Sequence, residues 1–293
     1  MKPSPVPEAE LARNAERWRD AFIETVRPWS RSPLMLSGGI DSATILAALL
    51  AIDARPTCYT YRIDSRVSPD VASARRITAA YHLDLVELQV RSDQIERDAR
   101  EAIRLLKVTG RVSVQCGIVC LKVMRQVRAD GHHSVLNGVA GVVWDTRQIA
   151  VMVGARAPRE EVDALRRKGL YQITPGGGTD VFYRAAAEAG LDLLDPYQVD
   201  PLASVGLSIP VPEVNWPRPK ELAVRAFPEF YARGWYRRPS PMQVNSGLRE
   251  LHDETILSSA VMNPGGAKMV AAVYRRWARE DGGLWAQEDE TDE

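Results

Sequence analysis

The residues best suited to chemistry lie in one short run at positions 36–42, which reads Leu-Ser-Gly-Gly-Ile-Asp-Ser. Gly38 and Gly39 allow the backbone to approach a ligand closely, because neither residue carries a Cβ. Their N–H groups, with those of a following helical turn, form a nest for an anion at the positive end of a helix. Ser37 and Ser42 add hydroxyl donors. The run therefore predicts a phosphate-binding loop with Leu36 at its entrance.

Asp41 is the informative residue of this run, because a carboxylate inside a phosphate nest repels the ligand. It makes chemical sense if it holds Mg²⁺, which bridges the carboxylate to the phosphates. The alternative is a plain glycine turn in which Asp41 only caps the next helix. Several specified positions in a strand-to-helix context favour the functional interpretation.

Hydrophobic periodicity predicts the elements that position this loop. An apolar run at 33–36 precedes the loop, and an Ala- and Leu-rich helix at 42–52 follows it. The same alternation predicts strands at 57–63, 85–90 and 134–137, and helices at 69–81, 94–106 and 117–130. Strands separated by single helices predict an α/β fold with a doubly wound parallel sheet, whose ligands bind at the carboxyl ends of the strands.

We expect the chain to divide into four parts. These are an N-terminal helix at 1–30, a nucleotide-binding α/β core at 31–155, a mainly helical part at 156–285 and an acidic tail at 286–293. In the helical part, Thr179 is the expected N-cap of a helix that runs to Gly190. We expect no series of strands from Leu193 onwards.

Composition narrows the class of protein. The 38 basic and 38 acidic residues give a net charge of zero, which argues against a surface that coats nucleic acid but is compatible with a local basic patch. Three cysteines do not suggest a disulfide framework, and Cys116 and Cys120 are expected to be buried thiols rather than metal ligands. The chain starts without an apolar signal segment, and no apolar run approaches the roughly 20 residues of a membrane helix. We therefore expect a cytoplasmic protein with no membrane partner.

The loop at 36–42 does not end in the Gly-Lys-Ser/Thr of a Walker motif. It resembles the Ser-Gly-Gly-x-Asp-Ser loop of the N-type ATP pyrophosphatases, which include asparagine synthetase, GMP synthetase, NAD synthetase, argininosuccinate synthetase and β-lactam synthetase. The resemblance implies ATP and Mg²⁺ as cofactors. It also implies a reaction in which a carboxylate or carbonyl oxygen attacks the α-phosphate, pyrophosphate leaves, and a nitrogen nucleophile displaces AMP.

Later stretches favour the synthase domain of asparagine synthetase within this group. Residues 192–210, which include Asp195, resemble that family's Phe-Leu-Asp-x-x-Val segment. Residues 218–225 resemble its Thr-Lys-x-x-Leu-Arg helix start, so Lys220 matches a lysine thought to neutralise charge at the α-phosphate. Residues 241–247 resemble a Gln-x-x-Ser-Gly loop of smaller, archaeal-type homologues. The resemblance spans about residues 30–250, with the motifs in the right order.

The resemblance implies a set of site residues. Asp41 and Lys220 are the expected catalytic residues, and Asp41 and Asp145 the expected metal ligands. ATP and pyrophosphate are expected to bind at Leu36, Ser37, Gly38, Gly39, Asp41, Ser42, Tyr61 and Gly138.

One motif of the family departs from its pattern in this chain. Where the family has Gly-Glu-Gly-Ala-Asp-Glu, Gly138 is kept but Val142 and Val143 replace the acids. The nearest carboxylate is Asp145, which either takes over the second Mg²⁺ position or caps a helix. The departure leaves the family's two-carboxylate arrangement open.

These features predict a stand-alone ligase that adenylates a carboxylate and forms an amide or another C–N bond. No glutaminase domain with a nucleophilic cysteine precedes the loop, so we expect ammonia from solution or from a separate donor protein, or another amine as the nucleophile. Two alternatives remain. Related enzymes modify tRNA bases, although they usually carry a CxxC pair, and a non-catalytic nucleotide-binding protein would explain the two valines.

Overall fold

The computed structural model describes residues 7–64, 66–144, 156–173, 175–237, 242–258 and 266–281. Five short parallel strands form its central sheet: β1 (Leu34–Met35), β2 (Cys58–Ile63), β3 (Leu85–Val90), β4 (Ser134–Leu136) and β5 (Asp192–Leu194). Their order across the sheet is β3-β2-β1-β4-β5. The chain moves outward from β1 in one direction and then returns to add β4 on its other side. This order confirms the predicted doubly wound α/β fold and creates a switch point between β1 and β4.

The central strand β1 is short but firmly paired on both sides. Leu34 is in register with Cys58 of β2 and with Leu136 of β4. The pairing with β2 continues past the strand, because the Leu36 N–H donates to the carbonyl of Tyr59 at 2.8 Å. Leu34 and Leu36 are fully buried, as expected for a strand covered on both faces. The loop that follows therefore starts from a rigid point.

Helices cover the sheet and fill most of the second half of the chain. In the first half they are α1 (Glu8–Val26), α2 (Ile40–Leu50), α3 (Pro69–Tyr81), α4 (Ile95–Leu106) and α5 (Arg111–Ala129). In the second half they are α6 (Arg159–Tyr171), α7 (Gly178–Ala189), α8 (Leu202–Ser208), α9 (Val211–Val214), α10 (Glu221–Ala226), α11 (Pro228–Tyr231), α12 (Met242–Asn245), α13 (Leu248–Ser258) and α14 (Gly266–Glu280). Short 3₁₀ helices lie at Arg27–Trp29, Ser92–Gln94, Val139–Trp144 and Pro196–Gln198.

Several predicted boundaries need correction. Helix α5 begins at Arg111 rather than at residue 117, and its N-cap is Gly110. Gly177, not Thr179, is the N-cap of α7, so Thr179 lies inside that helix. As expected, the described residues from Leu193 onwards contain no series of strands, but one short strand, β5, begins at Asp192 and forms an edge of the sheet by pairing with β4.

Two hydrophobic clusters pack on the sheet. One joins α1 and α2 to residues from Tyr197 to Trp235, so the N-terminal helix shares a core with the later helical part. The other joins α4, α5 and α7 to α13 and α14. Phe22 of α1 lies at the centre of the first cluster, with ring centroids 5.0 Å from Trp18, 5.3 Å from Tyr197 and 6.0 Å from Phe227. Within the described part of the chain, no helix combines the length and the apolar character needed to cross a membrane.

We expect Phe22→Ala to lower the free energy of unfolding by about 3–5 kcal/mol, because it removes a fully buried ring from the contact between α1 and the later helices. Urea denaturation followed by circular dichroism measures this loss. Glu24→Ala, on the exposed face of the same helix, is the control and should change stability by no more than about 0.5 kcal/mol. Equal losses in the two variants would contradict the central position of Phe22.

Candidate functional site

The loop between β1 and α2 is held in shape by its own two serines. The Ser42 hydroxyl accepts the Ser37 N–H at 3.2 Å and donates to the Gly39 carbonyl at 3.2 Å. The two serine hydroxyls lie 3.1 Å apart, and the Ser37 hydroxyl accepts the Gly39 N–H at 3.2 Å. Gly39 is the N-cap of α2, so the loop opens onto the positive end of an 11-residue helix. These contacts between residues of the motif fix the shape of the loop that was predicted to bind an anion.

Gly38 is required at its position for two reasons. Its φ of +72° lies in the left-handed region that side chains disfavour. A Cβ built there would also lie 2.5 Å from the carbonyl oxygen of Asp70 and 2.8 Å from the Cβ of Ser73. The first turn of α3 therefore packs directly on the loop and forms one wall of the nest.

Asp41, in the first turn of α2, is enclosed by two further glycines. A Cβ on Gly141 would lie 2.5 Å from the Asp41 Oδ1, and a Cβ on Gly138 would lie 3.2 Å from the Asp41 Cβ. Both glycines belong to the segment that follows β4, which is the neighbour of β1 in the sheet. The segments after β1 and β4 thus meet at Asp41, at the switch point where this fold class binds its ligands.

Lys220 reaches Asp41 from the later part of the chain. Its Nζ donates to both carboxylate oxygens, at 2.6 Å and 2.7 Å. The lysine side chain is 7% exposed and that of the aspartate 29% exposed, so the pair lies at the edge of the interior. The Lys220 backbone has a left-handed φ of +58°, and its N–H donates to the Asn215 Oδ1 at 2.8 Å. The structure thus brings together the two residues predicted to be catalytic.

A cavity of about 20 Å³ adjoins the Asp41–Lys220 pair. Its walls are mostly apolar and include Trp18, Thr44 and Tyr197. It has room for about one water molecule and is too small for a nucleotide or an amino acid. This cavity is therefore not a substrate site.

Asp195 is a buried carboxylate that the sequence singled out only as part of a longer motif. It follows β5, and its side chain accepts the Ala140 N–H at 2.7 Å and the Tyr197 N–H at 3.1 Å. Burial raises the pKa of Asp195 to about 7, against the lowering effect of the two N–H donors, and the charge of Asp41 raises this pKa further. The Tyr197 hydroxyl donates to the carbonyl of Asp41 at 3.0 Å. Asp195 therefore positions both the turn after β4 and the tyrosine that contact Asp41.

The remaining predicted residues lie in different surroundings. Tyr61 is buried, and its hydroxyl donates to the Met242 carbonyl at 3.4 Å, so only its backbone is suited to contact a nucleotide. Asp145, the predicted second metal ligand, lies outside the described residues, and this part of the prediction stays open.

The donor set fits phosphate well and Mg²⁺ in part. The loop and the helix end suit an anion, whereas the space that a Cβ on Gly38 would fill is taken up by α3. Across residues 7–144 and the later described ranges, no group of three or more His, Cys, Asp or Glu has metal-binding geometry. Asp41 is a single carboxylate, so Mg²⁺ there would take its other ligands from phosphate and water, which is its usual arrangement with nucleotides.

Sequence reasoning missed other residues that shape the site. Gly141, Tyr197 and the pair formed by Asp70 and Arg237 were not predicted. For Gly141 a signal existed, because a second glycine three residues after Gly138 indicates close backbone packing. The others become visible only through contacts between segments far apart in the chain.

Comparison with known families agrees with the motifs. Residues 20–141 match the family model described as asparagine synthase. The match covers less than half of the chain; it includes the loop, Gly138 and Gly141, whereas Asp195 and Lys220 lie beyond it. No curated protein matches the chain. The match supports the resemblance to the synthase domain of asparagine synthetase over the first four strands.

We expect Gly38→Ala to destabilise the protein more than Gly131→Ala, and urea denaturation measures both. The two glycines have positive φ values, +72° and +91°, but only Gly38 has neighbours within 4 Å of an added Cβ. The backbone strain alone costs about 1–2 kcal/mol, and the contact with α3 should add a further 1–3 kcal/mol at Gly38. Equal losses would show that conformation, rather than packing on α3, requires a glycine there.

The raised pKa of Asp195 predicts a dependence of stability on pH. The ordinary pKa of this carboxyl is 3.8, and in the folded protein it is about 7. At any pH between these two values, the folded protein binds more protons at Asp195 than the unfolded chain does. The contribution of Asp195 to the free energy of unfolding is therefore present below pH 4 and is lost as the pH rises through about 7. In Asp195→Asn this decrease in the free energy of unfolding with rising pH should disappear. Urea denaturation from pH 4 to 8 measures the wild-type and variant curves, and parallel curves would contradict the assignment.

Proposed function

We propose that this protein is an ATP-dependent C–N ligase of the asparagine-synthetase-like type. In the proposed reaction a carboxylate oxygen of the substrate attacks the α-phosphorus of ATP, and pyrophosphate leaves. A nitrogen nucleophile then attacks the activated carboxyl carbon, AMP leaves with the electron pair of the broken C–O bond, and a C–N bond forms.

The observation that carries the proposal is the contact between Asp41 and Lys220 at the switch point of the sheet. The two residues lie 179 positions apart in the chain. Motif resemblance had indicated each of them independently, one for the metal and one for the α-phosphate. An arbitrary pair of motif matches would have no reason to meet at the end of β1. Their contact therefore supports a common role at one nucleotide.

The residues divide the work as follows. Ser37, Gly38, Gly39 and Ser42 hold the pyrophosphate half of the nucleotide through backbone and hydroxyl donors. Bound Mg²⁺ would neutralise the charge that develops on the phosphates, and Asp41 would hold it. Lys220 would exchange its contact with the Asp41 carboxylate for a contact with the α-phosphate when Asp41 holds Mg²⁺. The ion pair between Asp41 and Lys220 keeps the two side chains next to each other and leaves neither partly buried charge unpaired.

The substrate classes follow from this chemistry. We propose a small carboxylate as the acceptor of the adenylyl group and an amine or ammonia as the nucleophile. The identity of the acid and of the nitrogen source is what the assay below is designed to find.

The cysteines argue against the tRNA-modifying alternative. Cys116 and Cys120, on successive turns of α5, are buried, and burial raises the pKa of Cys116 to about 12 and that of Cys120 well above its ordinary value. Thiols in this state are protonated and inaccessible, so they cannot serve as nucleophiles in sulfur transfer.

A second candidate function is nucleotide binding without turnover. The specific observation in its favour is the replacement of the family's acids by Val142 and Val143 in the 3₁₀ helix beside Asp41. Loss of a metal ligand would weaken charge neutralisation at the phosphates more than it would weaken binding in the nest.

Pyrophosphate release from ATP and Mg²⁺, measured across a panel of amino acids, other small carboxylates and tRNA, separates these functions. The ligase proposal predicts release that depends on one carboxylate, with AMP formed in equal amount and a nitrogen donor required for the final product. Release that depends on tRNA would support base modification instead. Tight ATP binding with no release from any acceptor would favour the non-catalytic protein.

We expect Asp41→Asn to remove the Mg²⁺ dependence of ATP affinity and Lys220→Gln to weaken ATP binding with or without Mg²⁺. Each change removes a charge-assisted contact, so losses of about tenfold to a hundredfold are expected. Isothermal titration calorimetry with ATP, in the presence and absence of Mg²⁺, measures both effects. Lys122→Gln is the matched control, because Lys122 pairs with Asp98 at 2.9 Å away from the loop and should leave ATP affinity unchanged. An Asp41→Asn variant that kept the wild-type response to Mg²⁺ would remove Asp41 from the metal site.

A further inference from the structure

A second buried carboxylate lies in the wall of the loop. Asp70 is in the first turn of α3 and is 7% exposed. Its carbonyl oxygen would lie 2.5 Å from a Cβ on Gly38, so its backbone touches the phosphate nest. Burial raises the pKa of Asp70, although Arg237 and Asn245 both lower it. A negative charge at this position would repel a phosphate unless a cation neutralised it.

That cation comes from a distant part of the chain. Arg237 contacts the Asp70 carboxylate, and the Asn245 Nδ2 donates to the same oxygen at 3.3 Å. Arg237 lies 167 positions after Asp70 and is not part of a motif. Its side chain is 20% exposed and contacts Asp70, the residue whose backbone packs on the loop at Gly38.

Among the described residues, the Arg237 guanidinium contacts Asp70 through one nitrogen. An arginine has five N–H donors in a planar fork that matches phosphate oxygens. Within the described ranges, the contact of Arg237 with Asp70 uses only Nη1. Asn245 already donates to the same carboxylate oxygen, so Asp70 does not depend on Arg237 alone for a hydrogen bond. An ion pair that served only to fasten two segments would be expected to engage both carboxylate oxygens, as Arg75 does with Glu87.

We infer that Arg237 is a phosphate-binding residue, which pairs with Asp70 in the free protein and exchanges that contact for the β- and γ-phosphates when ATP binds. The inference rests on the proposed nucleotide site and adds a cation to it from the later part of the chain. Arg237 would then do for the outer phosphates what Lys220 is proposed to do for the α-phosphate. Both cations are held by a carboxylate at the loop, and each would exchange part of that contact for phosphate.

The two halves of the ion pair make the inference testable. Removing the cation in Arg237→Gln should weaken the affinity for Mg²⁺-pyrophosphate and Mg²⁺-ATP about tenfold or more, and should leave the affinity for AMP unchanged. Removing the competing carboxylate in Asp70→Asn should instead tighten pyrophosphate binding, because a repulsive charge is lost and the guanidinium is released. Isothermal titration calorimetry with each of the three ligands measures these changes.

A pair that only fastens the chain predicts the opposite pattern. Both variants would then lose affinity together, or neither would, and either result overturns the inference. If Arg237→Gln shows no cooperative unfolding transition, Arg237→Lys replaces it. The lysine keeps the charge for Asp70 but loses the fork, so the inference still predicts weaker pyrophosphate binding, and wild-type affinity in that variant overturns it.

Two controls separate this inference from the proposed function. Arg75→Gln removes an arginine on the same helix that pairs with Glu87 at 2.5 Å and should not change any of the three affinities. If the wild-type protein binds neither ATP nor pyrophosphate, the nucleotide site itself is refuted. If the wild type binds both and Arg237→Gln binds them equally well, only the role of Arg237 is refuted.

Discussion

The charge of Asp41 is the constraint on which the arrangement of the site depends. Four segments contact this residue: its own helix α2, the glycines after β4, the Tyr197 hydroxyl and the Lys220 ammonium group. A carboxylate held between packed segments costs several kcal/mol unless a partner neutralises it. The lysine supplies that charge, and it can do so only if the chain beyond residue 200 folds back onto the sheet. The ion pair thus couples the later helices to the loop.

Three carboxylates near the loop need a partner for their negative charge, and each has a different kind of partner. Asp41 is neutralised by a lysine, and Asp70 by an arginine together with an asparagine. Asp195 is held by two backbone N–H groups and has a pKa raised to about 7, so that much of its population is protonated near neutrality. Carboxylates in the walls of an anion site are costly, and each has a specific partner that offsets the cost. A change of charge at the loop would act on all three carboxylates.

Much of the sheet could be predicted from local pattern, and the exceptions have physical causes. The bounds of α3 and β3 agree with the predicted ones, because their ends coincide with strong signals such as Ser68-Pro69 and a clear apolar run. The first turn of α5 contains Val112 and Val114, whose branched side chains favour strands locally; Val114 is nevertheless fully buried in the helix, which packs against α4 and α7 at Gly117. Strand β5 has only three residues, and its pairing with β4 is what makes it a strand.

The sequence by itself determined the shape of the loop at 36–42, since the glycines and serines that form it are adjacent in the chain and bond to one another. It also determined the order of strands and helices as far as β4, because hydrophobic periodicity is a local property. Only the tertiary structure decided which distant side chains surround the loop. The contacts of Asp41 with Lys220 and of Asp70 with Arg237 join residues more than 160 positions apart. No local pattern encodes such pairs, because they depend on how α10 and the chain after Trp235 pack across the carboxyl ends of the strands.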